Sequence, residues 1–139
     1  MNAAELMAKA TRASESAALL LDAGDLDGAC NRAYYAMFDA ARAALAAAGA
    51  DDDGFTTKTH SGLISAFSLS FVKTGDIPVE LGKALNRVAE LRQAGDYTGM
   101  QMPKDKADWA VERAAAFIDA IGQRVGKAIS PPRPEGHRE

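Results

Sequence analysis

Cysteine occurs once, as Cys30, and histidine twice, as His60 and His137. One thiol closes no intrachain disulfide, and so few soft ligands exclude a cysteine-rich or multi-histidine metal centre. We expect no metal site and no cofactor. Aromatic residues are scarce at 6%, and no stretch alternates apolar and polar residues as a half-buried strand does. No run approaches the roughly eighteen apolar residues of a membrane-spanning helix, so no membrane association is expected. The opening residues, MNAAELMAKATR, lack the basic-then-apolar order of a secretory leader, which implies a cytoplasmic location. A large positive balance is also missing. The formal net charge is −3 and the pI about 5.4. That argues against a general nucleic-acid coat while leaving room for a local basic patch.

What remains is rich in alanine, the residue that loses least entropy on entering a helix. The chain has 139 residues, 47% of them hydrophobic and 25% charged, the profile of one globular domain. Such a length buries roughly two-thirds of the unfolded surface without a staple. The expectation is an all-α fold, an antiparallel up-and-down bundle of about five helices. It occupies residues 1–129 as a single domain, followed by a disordered tail over 130–139.

Leu6, Ala10, Ala13, Ala17 and Leu20 recur at helical spacing over residues 3–23, and Gly24 suits a left-handed stop. Asp25 can cap a second helix running to about residue 48, with the stripe Leu26, Cys30, Ala33, Met37, Ala41, Ala44 and Ala48. Tyr34, Phe38 and Leu45 widen that face. Asp51, Asp52, Asp53 and Gly54 read as a solvated loop, because the alternating ligands and terminal Glu of an EF-hand are missing. A third helix starts at Thr57 or Thr59 and carries Leu63, Ile64, Phe67 and Phe71. A fourth opens at Pro78 and stops near Gly95. Residues 96–103 read as a linker, and a fifth helix extends to about residue 127.

Three clusters could carry chemistry. The first, Asn31-Arg32-Ala33-Tyr34-Tyr35-Ala36-Met37-Phe38, is polar for the middle of a bundle helix; its simpler reading packs two aromatics and pairs Arg32 with Asp39. The second, Lys58-Thr59-His60, sits at a helix N-terminus, where free N–H groups attract anions. The simpler reading of His60 is a neutral, partly buried ring on the Ile64–Phe67–Phe71 stripe. The third is Arg92, Asp96 and Tyr97; Arg92 and Asp96 stand four apart, as a helical ion pair would.

The segments NRAYYAMFDAARAAL (31–45), KTHSGLISAF (58–67), FVKTGDIP (71–78) and LRQAGDY (91–97), in this order and spacing, resemble the HEPN family of nucleotide-binding helical domains. The likeness is to its small prokaryotic branch, whose members are often encoded beside a minimal nucleotidyltransferase in toxin–antitoxin-like pairs. The resemblance implies a homodimeric binding and interaction module that recognises nucleotide or RNA phosphate. Its binding residues would be Asn31, Arg32, Tyr34, Tyr35, Lys58, His60, Arg92 and Asp96. It also implies two alternatives, a metal-independent endoribonuclease toxin or a purely structural adaptor. HEPN ribonucleases use an Arg, then four to six residues, then a His. Here Arg92 stands in the Arg place and Tyr97 in the His place. A phenol of reference pKa ~10 transfers protons poorly near neutrality. Catalysis would therefore need Arg92 with Tyr97 or a relocated His60, and the expectation leans away from an enzyme.

Overall fold

The first turn of the chain is fixed by a reciprocal cap. Asn2 Oδ1 accepts the Glu5 N–H at 2.8 Å, and Glu5 Oε1 accepts the Asn2 N–H at 2.9 Å, which satisfies two donors that a helix start leaves free. In this computed structural model, which describes residues 1–49 and 59–129 and within them no side chains of 96–98 or 127–129, helix α1 spans Ala3–Asp22. It buries Ala3, Leu6, Ala10, Ala13 and Ala17. The chain then reverses at Gly24, whose φ of 88° lies where side chains are strained. Asp25 caps α2 (Leu26–Ala47) by accepting the Gly28 N–H at 2.9 Å.

Helix α2 is the centre of the bundle, packed against α1, α3 (His60–Phe67), α4 (Val79–Thr98) and α5 (Lys104–Ile129). Its alanines explain how one helix meets so many neighbours. Ala29, Ala33, Ala36, Ala40, Ala41, Ala43 and Ala44 are all buried, and short side chains let helix axes approach closely. The buried surface is wider than the expected stripe, whose ends, Leu26 and Ala48, are half-buried and exposed.

Thr59 caps α3 by accepting the Gly62 N–H at 2.8 Å. After Phe67 the helix widens into a π-helical turn, Ser68–Val72. This wider turn keeps Phe71 in the core beside Phe67, ring centroids 5.3 Å apart. It also brings Val72 onto Gly82 of α4. A Cβ at Gly82 would sit 2.8 Å from Val72 Cγ2. Valine is stiff at χ1 and yields little. Gly82→Ala is expected to destabilise the fold by about 1–3 kcal/mol. Urea denaturation checks this, and an unchanged midpoint would show that the π-turn moves aside.

Two expected boundaries shift. Pro78 is the N-cap of α4 rather than its first helical residue. More important, α4 does not stop near Gly95. It continues to Thr98 and ends at Gly99, whose φ is 69°, so residues 96–98 are helix and not linker. Gly95 lies inside the helix rather than at its end, and a Cβ on it would make ordinary van der Waals contact with Asp27 Oδ1 at 3.5 Å and Met102 Cε at 3.7 Å. Asp27 Oδ1 also accepts the Met102 N–H at 3.1 Å, which ties the α4–α5 connection to the start of α2. Helix α5 then buries Ala107, Ala110, Ala114, Phe117, Ile121 and Val125. Arg124 fastens it to the turn before α4 through Asp76 at 3.1 Å.

Among the described residues the fold is all-helical, an up-and-down bundle of the class expected. None of their helices is long and apolar enough to cross a membrane, and no group of three His, Cys, Asp or Glu side chains there is arranged to hold a metal. The Asp51–Asp53 loop, Lys58 and the tail from residue 130 lie outside the described residues.

Candidate nucleotide-binding site

Three consecutive features of α2 build the floor of the site. Tyr34 and Phe38 are one turn apart and Tyr35 flanks both, so their rings meet on one side of the helix. Ring centroids lie 5.1 Å apart for Tyr34–Tyr35 and 5.8 Å for Tyr34–Phe38. The N-terminus of α3 brings His60 onto this floor, 4.6 Å from Phe38, 5.4 Å from Tyr34 and 6.0 Å from Tyr35. Helix α4 brings Arg92, whose guanidinium carbon lies 4.8 Å from the Tyr34 centroid and 5.6 Å from that of Tyr35. Four residues from three helices thus converge: Tyr34, Tyr35, His60 and Arg92. Phe38 is a fifth member, which stands in the first sequence cluster but not among the expected binding residues. Its four-residue spacing from Tyr34 was the available signal.

The members differ in exposure. Tyr34 is 1% exposed, Tyr35 and Arg92 are half-buried, and His60 is exposed. His60 therefore does not continue the buried stripe of Leu63 and Phe67. It lies at the first residue of α3 and covers the edge of the aromatic cluster. Partial desolvation of the ring against the aromatic cluster, and secondarily the Arg92 charge, lower its pKa from the ordinary value. Both favour the neutral ring, which can accept a proton. Burial pushes the Tyr34 phenol up to about 12, against the opposing pull of Arg92, so this hydroxyl takes no part in proton transfer near neutrality.

The Tyr34 hydroxyl has no hydrogen-bond partner among the described residues. A buried polar atom left unpaired costs free energy. Tyr34→Phe is expected to leave stability unchanged or raise it by up to about 1 kcal/mol. A loss of more than about 1 kcal/mol in a thermal or urea melt would mean that the hydroxyl is bonded in solution.

Beside the cluster, Asn31 and Arg92 line a cleft of about 290 Å³ together with Asp27, Cys30, Gly95 and Met102. A guanidinium can lie against ring faces, and its planar N–H donors match a phosphate's oxygens two at a time. Arg32 is not in this cleft. It lines a separate groove with Lys9, Tyr35, Phe38, Asp39 and Arg42. Nor does Arg32 close an ion pair with Asp39. Seven residues of helix are about 10 Å of axial rise, and the pair at 3.6 Å is instead Arg42 with Asp39, three residues apart. The backbone of Asp96 and Tyr97 belongs to the last turn of α4. Their side chains, and Lys58, lie outside the described residues.

The architecture and this cluster define a class: an all-helical bundle whose central helix carries an aromatic floor beneath one arginine and one histidine from neighbouring helices. The sequence profile of the HEPN domain matches residues 3–125, and the chain belongs to the HEPN family. A UPF0332 protein of Thermotoga maritima is 39% identical over 119 residues, covering 84% of this chain and 86% of the relative. Two Methanocaldococcus jannaschii proteins are also similar. The one named "Putative toxin MJ0142" is 28% identical over 83% of this chain and 76% of its own length. "Putative toxin MJ0605" is 33% identical over 70% of this chain and 69% of its own.

Proposed function

We propose that this chain is a toxin-like HEPN binding and interaction module that recognises nucleotide or RNA phosphate. It acts as a cytoplasmic homodimer paired with a nucleotidyltransferase partner in a toxin–antitoxin-like system. The observation that supports this most is the convergence of Arg92 with Tyr34, Tyr35 and His60. A cation with planar donors meets phosphate, and a half-buried ring such as Tyr35 offers a face to a base. Asn31, in the same cleft as Arg92, adds a donor and an acceptor for the sugar or base edge. Lys58 and Asp96 complete the proposed set at this cleft, and Arg32 contributes from the neighbouring groove that it lines with Lys9 and Arg42. The names carried by the two archaeal relatives support the toxin-like part of the reading.

The test is fluorescence anisotropy with a labelled single-stranded RNA and, in parallel, a labelled mononucleotide, with light scattering on the same sample. Saturable binding by a species of twice the 14.6 kDa chain mass is the expected result. Absence of binding would leave the structural adaptor as the better account, and a monomer would remove the homodimer.

One observation favours a second reading, a metal-independent ribonuclease. His60 stands close enough to Arg92 for the arginine's charge to lower its pKa. A neutral imidazole can take the proton of a ribose 2′-hydroxyl as its oxygen bonds to phosphorus, while the P–O5′ bond breaks, the 5′-oxygen takes a proton from the imidazolium or from water, and the guanidinium stabilises charge on the phosphoryl oxygens. RNA cleavage in EDTA by the wild type, lost in both His60→Ala and Arg92→Ala, would establish this reading over the first.

A further inference from the structure

The groove that holds Arg32 has an unusual charge balance. Lys9 projects from α1 and Arg32 and Arg42 from α2, and with Tyr35, Phe38 and Asp39 they line a volume of about 320 Å³. Asp39 is 4% exposed. It is ion-paired with Arg42, at 3.6 Å, whereas Lys9 and Arg32 act on it at longer range. One acid is thus already balanced by one cation, and two further positive charges face the groove. A protein that needed only to neutralise Asp39 would not require Lys9 and Arg32. Tyr35 is common to this groove and to the Arg92 cluster. It lines the groove, and its ring centroid lies 5.6 Å from the Arg92 guanidinium carbon.

We propose that Lys9, Arg32 and Arg42 form a second phosphate subsite, which holds a neighbouring phosphate of a single-stranded RNA whose first phosphate is bound at Arg92, with Tyr35 as the base-stacking surface between them. This rests on the phosphate-binding reading of Arg92 given above. Two cationic places joined by an aromatic ring make the repeating pattern that single strands require, because each nucleotide supplies one charge and one flat face. The subsite makes the ligand an oligonucleotide rather than a mononucleotide.

The test compares a 5′-phosphorylated mononucleotide with a 5′-phosphorylated single-stranded RNA tetramer, by anisotropy or calorimetry over a range of salt. Proteins are the wild type, Lys9→Gln, Lys9→Gln/Arg32→Gln and Asp39→Asn, each checked for helix content by circular dichroism. Lys9 is exposed on α1, so its replacement leaves the core intact. The wild type is expected to bind the tetramer about tenfold or more tightly than the mononucleotide, the scale of a charged hydrogen-bonded contact. The double variant is expected to lose that advantage and keep its mononucleotide affinity. Its dependence of log K on log salt should fall by about 0.7 for each phosphate contact removed. Asp39→Asn removes the one acid that lines the groove among the described residues and is expected to tighten the tetramer several-fold. Equal wild-type affinities for the two ligands, or a length advantage and salt slope unchanged in the double variant, would overturn the second subsite while leaving the Arg92 site standing. Failure of the wild type to bind either ligand would overturn the Arg92 reading and the subsite with it.

Discussion

Phe117→Ala is expected to remove about 3–5 kcal/mol of stability, a large fraction of the roughly 5–15 kcal/mol that holds such a domain together. The reason is position as much as size. Phe117 is 0% exposed, and its ring lies 5.4 Å from that of Phe67, which in turn lies 5.3 Å from Phe71. This aromatic run fastens α5 to α3 and to the π-turn. Helix α5 also packs on α1 and α2. Truncating the ring therefore opens a cavity where three parts of the bundle meet, and flanking alanines such as Ala114 are too short to fill it. Phe117→Leu keeps most of the volume and is expected to cost about 1.5 kcal/mol or less. Urea unfolding of both variants reads the difference directly. A cost below about 1 kcal/mol for Phe117→Ala would show that the site collapses and that the ring run does not organise the core.

Arg92→Ala is expected to weaken RNA or nucleotide binding by about ten- to a hundredfold, as loss of a charged hydrogen-bonded contact of ~1.5–3 kcal/mol implies. Arg92→Lys is expected to recover only part of it. A lysine places one charge near the phosphate but lacks the planar fork and the stacking on Tyr34 and Tyr35. The fold itself is expected to lose the cation–π contribution, about 0.5–2 kcal/mol, and helix content serves as the control. Full recovery by lysine would mean that the arrangement over the rings contributes charge alone.

Much of the architecture is legible in the sequence because it follows from short-range rules. The spacing of Leu6, Ala10, Ala13 and Ala17 marks the buried face of α1, and Gly24 and Asp25 mark its end and the start of α2. The misread places are those where one residue type serves two purposes. Gly95 looked like a helix stop, yet α4 runs on through it and the left-handed cap falls at Gly99. Asp39 read as the ion-pair partner of Arg32, yet it is buried beside Arg42. The π-turn after Phe67 leaves no mark in a pattern read at 3.6 residues per turn. The meeting of Tyr34, Tyr35, His60 and Arg92 is a different matter. Helical periodicity places each on its own element and says nothing of which elements touch. That expectation came from the family resemblance, and His60, although expected on a buried stripe, lies exposed at the cluster's edge.

The account centres on a site that binds RNA phosphate without cutting it. Its most direct test is an equilibrium titration of the wild-type protein with labelled single-stranded RNA in EDTA, the RNA being run afterwards on a denaturing gel. The predicted result is saturable binding that weakens steeply as salt rises, with the RNA recovered at full length. No saturable binding at any salt would contradict the account, as would RNA recovered as fragments whose formation is lost in both Arg92→Ala and His60→Ala.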